Sequence, residues 1–275
     1  MFHIQVLKTQ WMLASTLIVG LAMSAAWPAQ VAAQLQKTDF ANAAKNAKAK
    51  NILLVHGAWA DGSSYEKVIP LLQEEGFNVV SVQIPLTSFA DDVATTKRAL
   101  ALENGPVLLV GHSYGGAVIT EVGTDPKVVG LVYLAALAPE VGESTSSLLG
   151  SVPATPLFSE LSEDSYGFLT VSVQGYLDDF VEGLPKKEQK VLAATQEPTS
   201  TTALGGAVTM AAWKSKPSWY LITENDRAVS TDLQVFMANR IQASSFKIPS
   251  CHVVMLAHPD EVNSIITLAA LGVRW

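Results

Sequence analysis

The chain has 275 residues, 49 % of them hydrophobic and 16 % charged, and a formal net charge of −7. That length suits one large globular domain or two small ones, and with no basic run anywhere a nucleic-acid partner is not expected. Cys251 is the sole cysteine, which excludes an internal disulfide and any cysteine-rich zinc or iron–sulfur site, so no metal or cofactor is expected.

Met1 to Ala33 carries Lys8, no acidic residue, and an apolar run from Trp11 to Ala26 followed by Trp27-Pro28. The run matches a signal-peptide core and falls short of the roughly 20 residues that cross a bilayer. Val31 and Ala33 hold the small-residue positions before a cut, so residues 1–33 are expected to be a cleaved secretory signal. The mature protein would then be periplasmic or secreted, without a membrane span. An uncleaved anchor is the alternative. Residues 34–50, QLQKTDFANAAKNAKAK, lack an apolar stripe and read as a flexible, solvated leader.

From Asn51 the texture changes. NILLVH, residues 51–56, is the short apolar run of a strand buried on both faces. A helix follows over 64–75, with Val68, Leu71 and Leu72 at helical spacing and Gly76 as its stop. FNVVSVQIP (77–85) reads as a strand and 89–104 as a helix. The run 107–112 is a strand, GGAVITEVG a helix, and VVGLVYLAAL (128–137) a strand. The rhythm then breaks: residues 138–212 hold five prolines, many Ser and Thr, and helices near 175–183 and 185–195. Strand 218–226, helix 230–241, strand SFKIP and a last helix from Pro259 to about Val273 restore it. Alternation at this spacing predicts an α/β fold, a mostly parallel six-stranded sheet flanked by helices. The segment 138–212 is too long for a connection and reads as a helical cap inserted after strand 128–137. The domain would span residues 51–275.

Functional groups of open parallel sheets gather at the carboxyl ends of the strands. Ser113 stands there, in Gly-His-Ser-Tyr-Gly between an apolar strand and a helix. Gly111 and Gly115 remove the Cβ atoms that would clash in a sharp strand-to-helix turn, so the serine can be held in strained geometry with its hydroxyl raised. A serine needs a base. His3 leaves with the signal, His56 and His112 frame turns beside glycines, and His258 starts a helix. His252, in the loop after the last strand, can reach back over Ser113. The imidazole needs an acid to fix its tautomer, and Asp226, at the strand end just before, is the first choice. Glu224 lies two residues earlier, still on the strand, and Glu140, after strand 128–137, is the other candidate. An oxyanion would be received by the backbone N–H of Tyr114 and of Ala58, in the loop after 51–56. Trp59 would line a substrate pocket or simply pack.

LLVHGAWADGSSYEKVIPLLQEEGFNVVSVQIP, VLLVGHSYGG, WYLITENDRAV and SCHVVMLAHPDEV resemble the α/β-hydrolase superfamily. More narrowly, they resemble the branch of plant methyl esterases, hydroxynitrile lyases and small bacterial carboxylesterases. The resemblance covers Asn51 to about Val273 and is least specific in the cap. It implies Ser113 as nucleophile, His252 as base, Asp226 as acid, and Ala58 with Tyr114 as oxyanion donors. It also implies a sheet that opens at strand 51–56.

The function expected is a serine hydrolase cleaving small-molecule carboxylic esters through an acyl-enzyme, with lactones and amides within reach. Leu148, Leu149, Leu157, Phe158, Phe168 and Leu169 of the cap are candidates for an apolar pocket, and equally for packing. The alternative on the same three residues is hydroxynitrile cleavage. The plant lyases that this chain resembles place a lysine directly after the catalytic histidine to receive the cyanide charge. Val253 stands there instead, an apolar side chain with no donor. A binding protein on a hydrolase scaffold usually lacks the serine or the histidine, and both are present.

Overall fold

The computed structural model describes residues 43–274; the expected signal (1–33) and the first part of the expected leader lie outside the described residues. Six strands form one sheet, β1 (Asn51–Val55), β2 (Asn78–Val82), β3 (Val107–His112), β4 (Val128–Leu134), β8 (Ser218–Thr223) and β9 (Ser244–Ile248). All neighbours run parallel, in the order β2-β1-β3-β4-β8-β9. The central β1 and β3 are buried along their whole length, as their continuous apolar sequence requires. Register brings their carboxyl ends level. Val55 pairs with both Val82 and Gly111, His112 with Leu134, and Leu134 with Leu221. The loops that leave these ends therefore open on one edge.

The flanking helices pack in pairs: Pro259–Leu271 against Val68–Glu74, and Phe89–Leu102 against Gly115–Val122. Their starts are chemically marked. Ser88 accepts the Asp91 N–H at 3.1 Å, and Pro259 opens the last helix with Asp260 and Glu261 in its first turn, charges that suit the positive end of a helix dipole.

Two expectations need correction. The cap is only partly helical. It holds a three-stranded antiparallel sheet, β5 (Leu161–Glu163), β6 (Phe168–Val171) and β7 (Thr199–Ser200). Asp164 Oδ1 accepts the N–H groups of Tyr166 and Phe168 and Gly167 takes φ 81°, which closes the β5–β6 hairpin. Strands this short carry no readable alternation. The expected helix 175–183 is a turn at Val173–Gly175 running into a π-turn, Tyr176–Phe180, while 185–195 contains the helix Lys186–Ala194. Short helices at Thr145–Leu149 and Thr201–Gly205 complete the cap.

Residues 43–50, expected in a flexible leader, lie packed on the domain. Ala43, Ala44 and Ala49 are buried. The Ala44 N–H donates to Glu75 O, and those of Lys48 and Ala49 to Ala270 O. Alanines without an apolar stripe look solvated in sequence, but their small side chains let the backbone approach two helix ends closely.

Candidate active site

Ser113 follows β3 with φ 52°, a left-handed conformation that costs a non-glycine residue about 1–2 kcal/mol. The surroundings hold it there. Its N–H donates to Leu134 O at 3.2 Å, and its carbonyl accepts from Gly116 and Leu137, both at 3.0 Å. The glycines serve by their lack of a side chain. A Cβ on Gly111 would lie 2.6 Å from Gly115 O, and one on Gly57 would lie 2.7 Å from Ser113 Cβ. One on Gly115 would strike the carbonyls of Val55 and His56. The helix Gly115–Val122 begins at once. Among the described residues, neither the Tyr114 nor the Ala58 N–H finds a protein acceptor. The Tyr114 side chain is anchored elsewhere: its hydroxyl donates to Asp92 Oδ2 at 2.6 Å, and Asp92, pushed up to about 6 mainly by burial, also accepts the Leu86 N–H.

Asp226 and His252 form a buried pair. The His252 Nδ1–H donates to Asp226 Oδ2 at 2.8 Å, and both side chains are 0 % exposed. Four further donors saturate the carboxylate: the Ala228 and Val229 N–H groups on Oδ1 at 2.8 Å, and Thr223 Oγ1 and Gln234 Nε2 on Oδ2 at 2.8 and 2.9 Å. Bonds of this kind hold a buried carboxylate in place. Thr223 and Gln234 were missed by sequence reasoning, since Gln234 sits mid-helix with nothing local to mark it. His252 Nε2 is buried and has no partner among the described residues. It makes no hydrogen bond to the Ser113 hydroxyl.

The remaining candidates fall elsewhere. Glu140 pairs with Lys214 at 2.6 Å, and its lowered pKa follows from that bond. The Glu224 backbone bonds β9 and its side chain is exposed. His258 is 3.9 Å from Glu261 at its helix start. His56 accepts the Ile84 N–H on Nε2 at 3.1 Å, which leaves its Nδ1–H to donate to Gly57 O. His112 does more than frame the turn. Its Nε2–H donates to the His252 carbonyl at 3.0 Å, and the two rings lie 4.6 Å apart. Burial lowers both His56 and His112, the latter strongly, so they stay neutral beside the site.

The cap closes over these strand ends. Phe180 lies 5.0 Å from the His252 ring. Trp59 joins the layers: its indole N–H donates to Leu169 O, its backbone N–H to Thr199 Oγ1, and its carbonyl accepts from Tyr176 Oη, each at 3.0 Å. It also lines a slot beside Ser113 with Leu149, Leu157 and Phe158 of the cap. Of the six apolar cap residues expected, Leu148 is buried as packing. A second cavity, about 530 Å³, lies near Cys251 and is lined by Glu182. Both Glu182 oxygens are buried without a partner among the described residues, and burial pushes this carboxyl up to about 7.

A model of the alpha/beta hydrolase family matches residues 52–265. The chain therefore belongs to that family. It is 29 % identical over 242 residues to an alpha/beta hydrolase, nvfD, of Aspergillus novofumigatus, covering 80 % of this chain and 96 % of the relative. Over 115 residues it is 37 % identical to a carbendazim hydrolyzing esterase of a Nocardioides species, covering 36 % of this chain and 47 % of that protein. A solved Arabidopsis methylesterase superposes with a TM-score of 0.68 at 19 % identity, over 81 % of this chain and 99 % of its own, a likeness of fold.

Proposed function

We propose that the protein is a serine hydrolase of small-molecule carboxylic esters, working through an acyl-enzyme. The observation that carries this is the buried imidazole whose Nδ1–H is tied to Asp226 while Nε2 is left unpaired, on a loop whose His252 carbonyl is bonded by His112, the residue before Ser113. His252 Nε2 takes the hydroxyl proton as Ser113 Oγ attacks the ester carbonyl, and Asp226 stabilises the imidazolium. The N–H groups of Ala58 and Tyr114 receive the oxyanion. Collapse expels the alcohol, which takes its proton from His252, and water activated by the same nitrogen releases the acid. The relative named as a carbendazim hydrolyzing esterase supports the ester as substrate class. Hydroxynitrile cleavage lacks this support: Val253 is buried, and cyanide charge developing against hydrocarbon is strongly unfavourable.

The test is Ser113→Ala, expected to lower nitrophenyl ester turnover by about three orders of magnitude or more. A fluorophosphonate should label the wild type at Ser113 alone. Labelling that survives the substitution would contradict the assignment. We also infer that residues 1–33 direct export. Expression with the leader should yield a periplasmic protein beginning near Gln34, and a membrane-bound chain beginning at Met1 would overturn this.

A further inference from the structure

The slot beside Ser113 has a cavity volume of about 20 Å³. It is thus a narrow slot with room for about one water. Its walls are mostly hydrocarbon, Leu137, Leu149, Leu157, Phe158 and Leu204 among them. The polar side chains that reach it are committed elsewhere, with two exceptions. Tyr114 gives its hydroxyl to Asp92, and Trp59 gives its indole N–H to Leu169 O. Ser113 is the proposed nucleophile. The other exception is Thr145, a residue of the slot lining that is 2 % exposed and whose Oγ1 has no hydrogen-bond partner among the described residues.

The local fold does not need this hydroxyl. Thr145 opens the helix Thr145–Leu149, but Ser144 caps it, in a reciprocal pair with Ser147 at 3.1 and 2.8 Å. Valine would fill the same volume. A buried hydroxyl left unpaired is unfavourable, and native proteins seldom keep one without a use. An alkyl chain entering the slot leaves the hydroxyl without a partner, whereas a chain carrying an acceptor oxygen can take its hydrogen bond.

We propose that Thr145 is a specificity-determining residue, selecting esters that carry an ether or carbonyl oxygen near the scissile group over esters with plain alkyl chains. This rests on the ester-hydrolase reading and names its substrate class. The test uses two isosteric pairs: nitrophenyl methoxyacetate against nitrophenyl butyrate, and the 2-methoxyethyl against the butyl ester of one acid. The readout is the ratio of kcat/KM within each pair, which cancels differences in protein concentration and folding. In Thr145→Val the preference for the oxygen-bearing member should fall about fivefold or more in at least one pair. Thr145→Ser should retain it, and Thr145→Ala serves if valine disturbs the helix start. Ratios unchanged in both pairs would overturn the proposal. Should the wild type hydrolyse none of these esters, the ester reading fails by itself. Calorimetric binding of the same pairs to Ser113→Ala, with and without Thr145→Val, then decides the role of Thr145. A preference abolished by valine upholds it, and equal binding or none refutes it.

Discussion

The strand-end platform and the cap over it are built on opposite plans. On the platform the carboxylate and the strained serine are held from several directions: five donors converge on Asp226, and Ser113 is pinned at φ 52° by bonds on both sides of its peptide. The cap consists of strands of two to four residues and short helices. It is joined to the platform through Trp59 and through ion pairs such as Arg227–Asp179 and Lys67–Glu188. Preorganised groups do the work of stabilising charge, whereas selection needs only a shaped wall with one or two polar points. On the proposed function, this division assigns chemistry to the platform and choice of substrate to the cap. Changes on the platform should strike kcat, and changes in the cap should redistribute kcat/KM among substrates.

The largest effect is expected from Asp226→Asn, which leaves the site in place but favours the wrong imidazole tautomer. Ester kcat should fall by about 10⁴. Glu140→Gln, whose partner is Lys214, should alter turnover by less than about twofold, as for a surface ion pair. The reverse outcome would move the acid to the loop after β4.

A smaller effect is expected from Gln234→Leu. The Gln234 amide donates to Asp226 Oδ2 at 2.9 Å and accepts the Thr223 N–H at 2.9 Å. Its loss should lower stability by about 1–3 kcal/mol and kcat by about tenfold, in the range seen for supporting residues around active groups. KM for a series of acyl lengths should hardly move. A change in acyl preference without a change in kcat would blur the line between platform and cap.

The smallest effect concerns Glu182, which belongs to the cap. Burial raises its carboxyl from 4.5 to about 7. Between these values the folded state keeps a proton that the unfolded chain has released, so stability declines as pH rises through this window. Glu182→Gln removes that decline. The melting temperature of the variant minus that of the wild type should grow from about pH 5 to 7 and level off above. A difference independent of pH would show that Glu182 is ionised in the folded protein throughout.

Much of the platform was legible because its signals are local. Apolar runs ending in glycine marked the strand ends, and Gly-His-Ser-Tyr-Gly placed the serine with the steric reason for its neighbours. The chain order Ser113, Asp226, His252 followed the strands. What escaped notice depends on contacts remote in sequence. Gln234 reaches Asp226 from mid-helix, and Thr145 reveals itself only as an unpaired hydroxyl in an apolar slot. The backbone of 43–50 gains its partners from Glu75 and Ala270. The β5–β6–β7 sheet is stitched across more than thirty residues of cap, pairing Phe168 with Ser200, and its strands are too short for any period to show.

The division of labour is tested most directly by trapping the covalent intermediate. Acid-quenching the wild type during steady turnover of a nitrophenyl ester and measuring its peptide masses should show one acyl group, on the peptide containing Ser113. The adduct should build up in His252→Ala more slowly than in wild type, and be absent in Ser113→Ala. Ester turnover that persists in Ser113→Ala, or an acyl group found on another residue, would contradict the account.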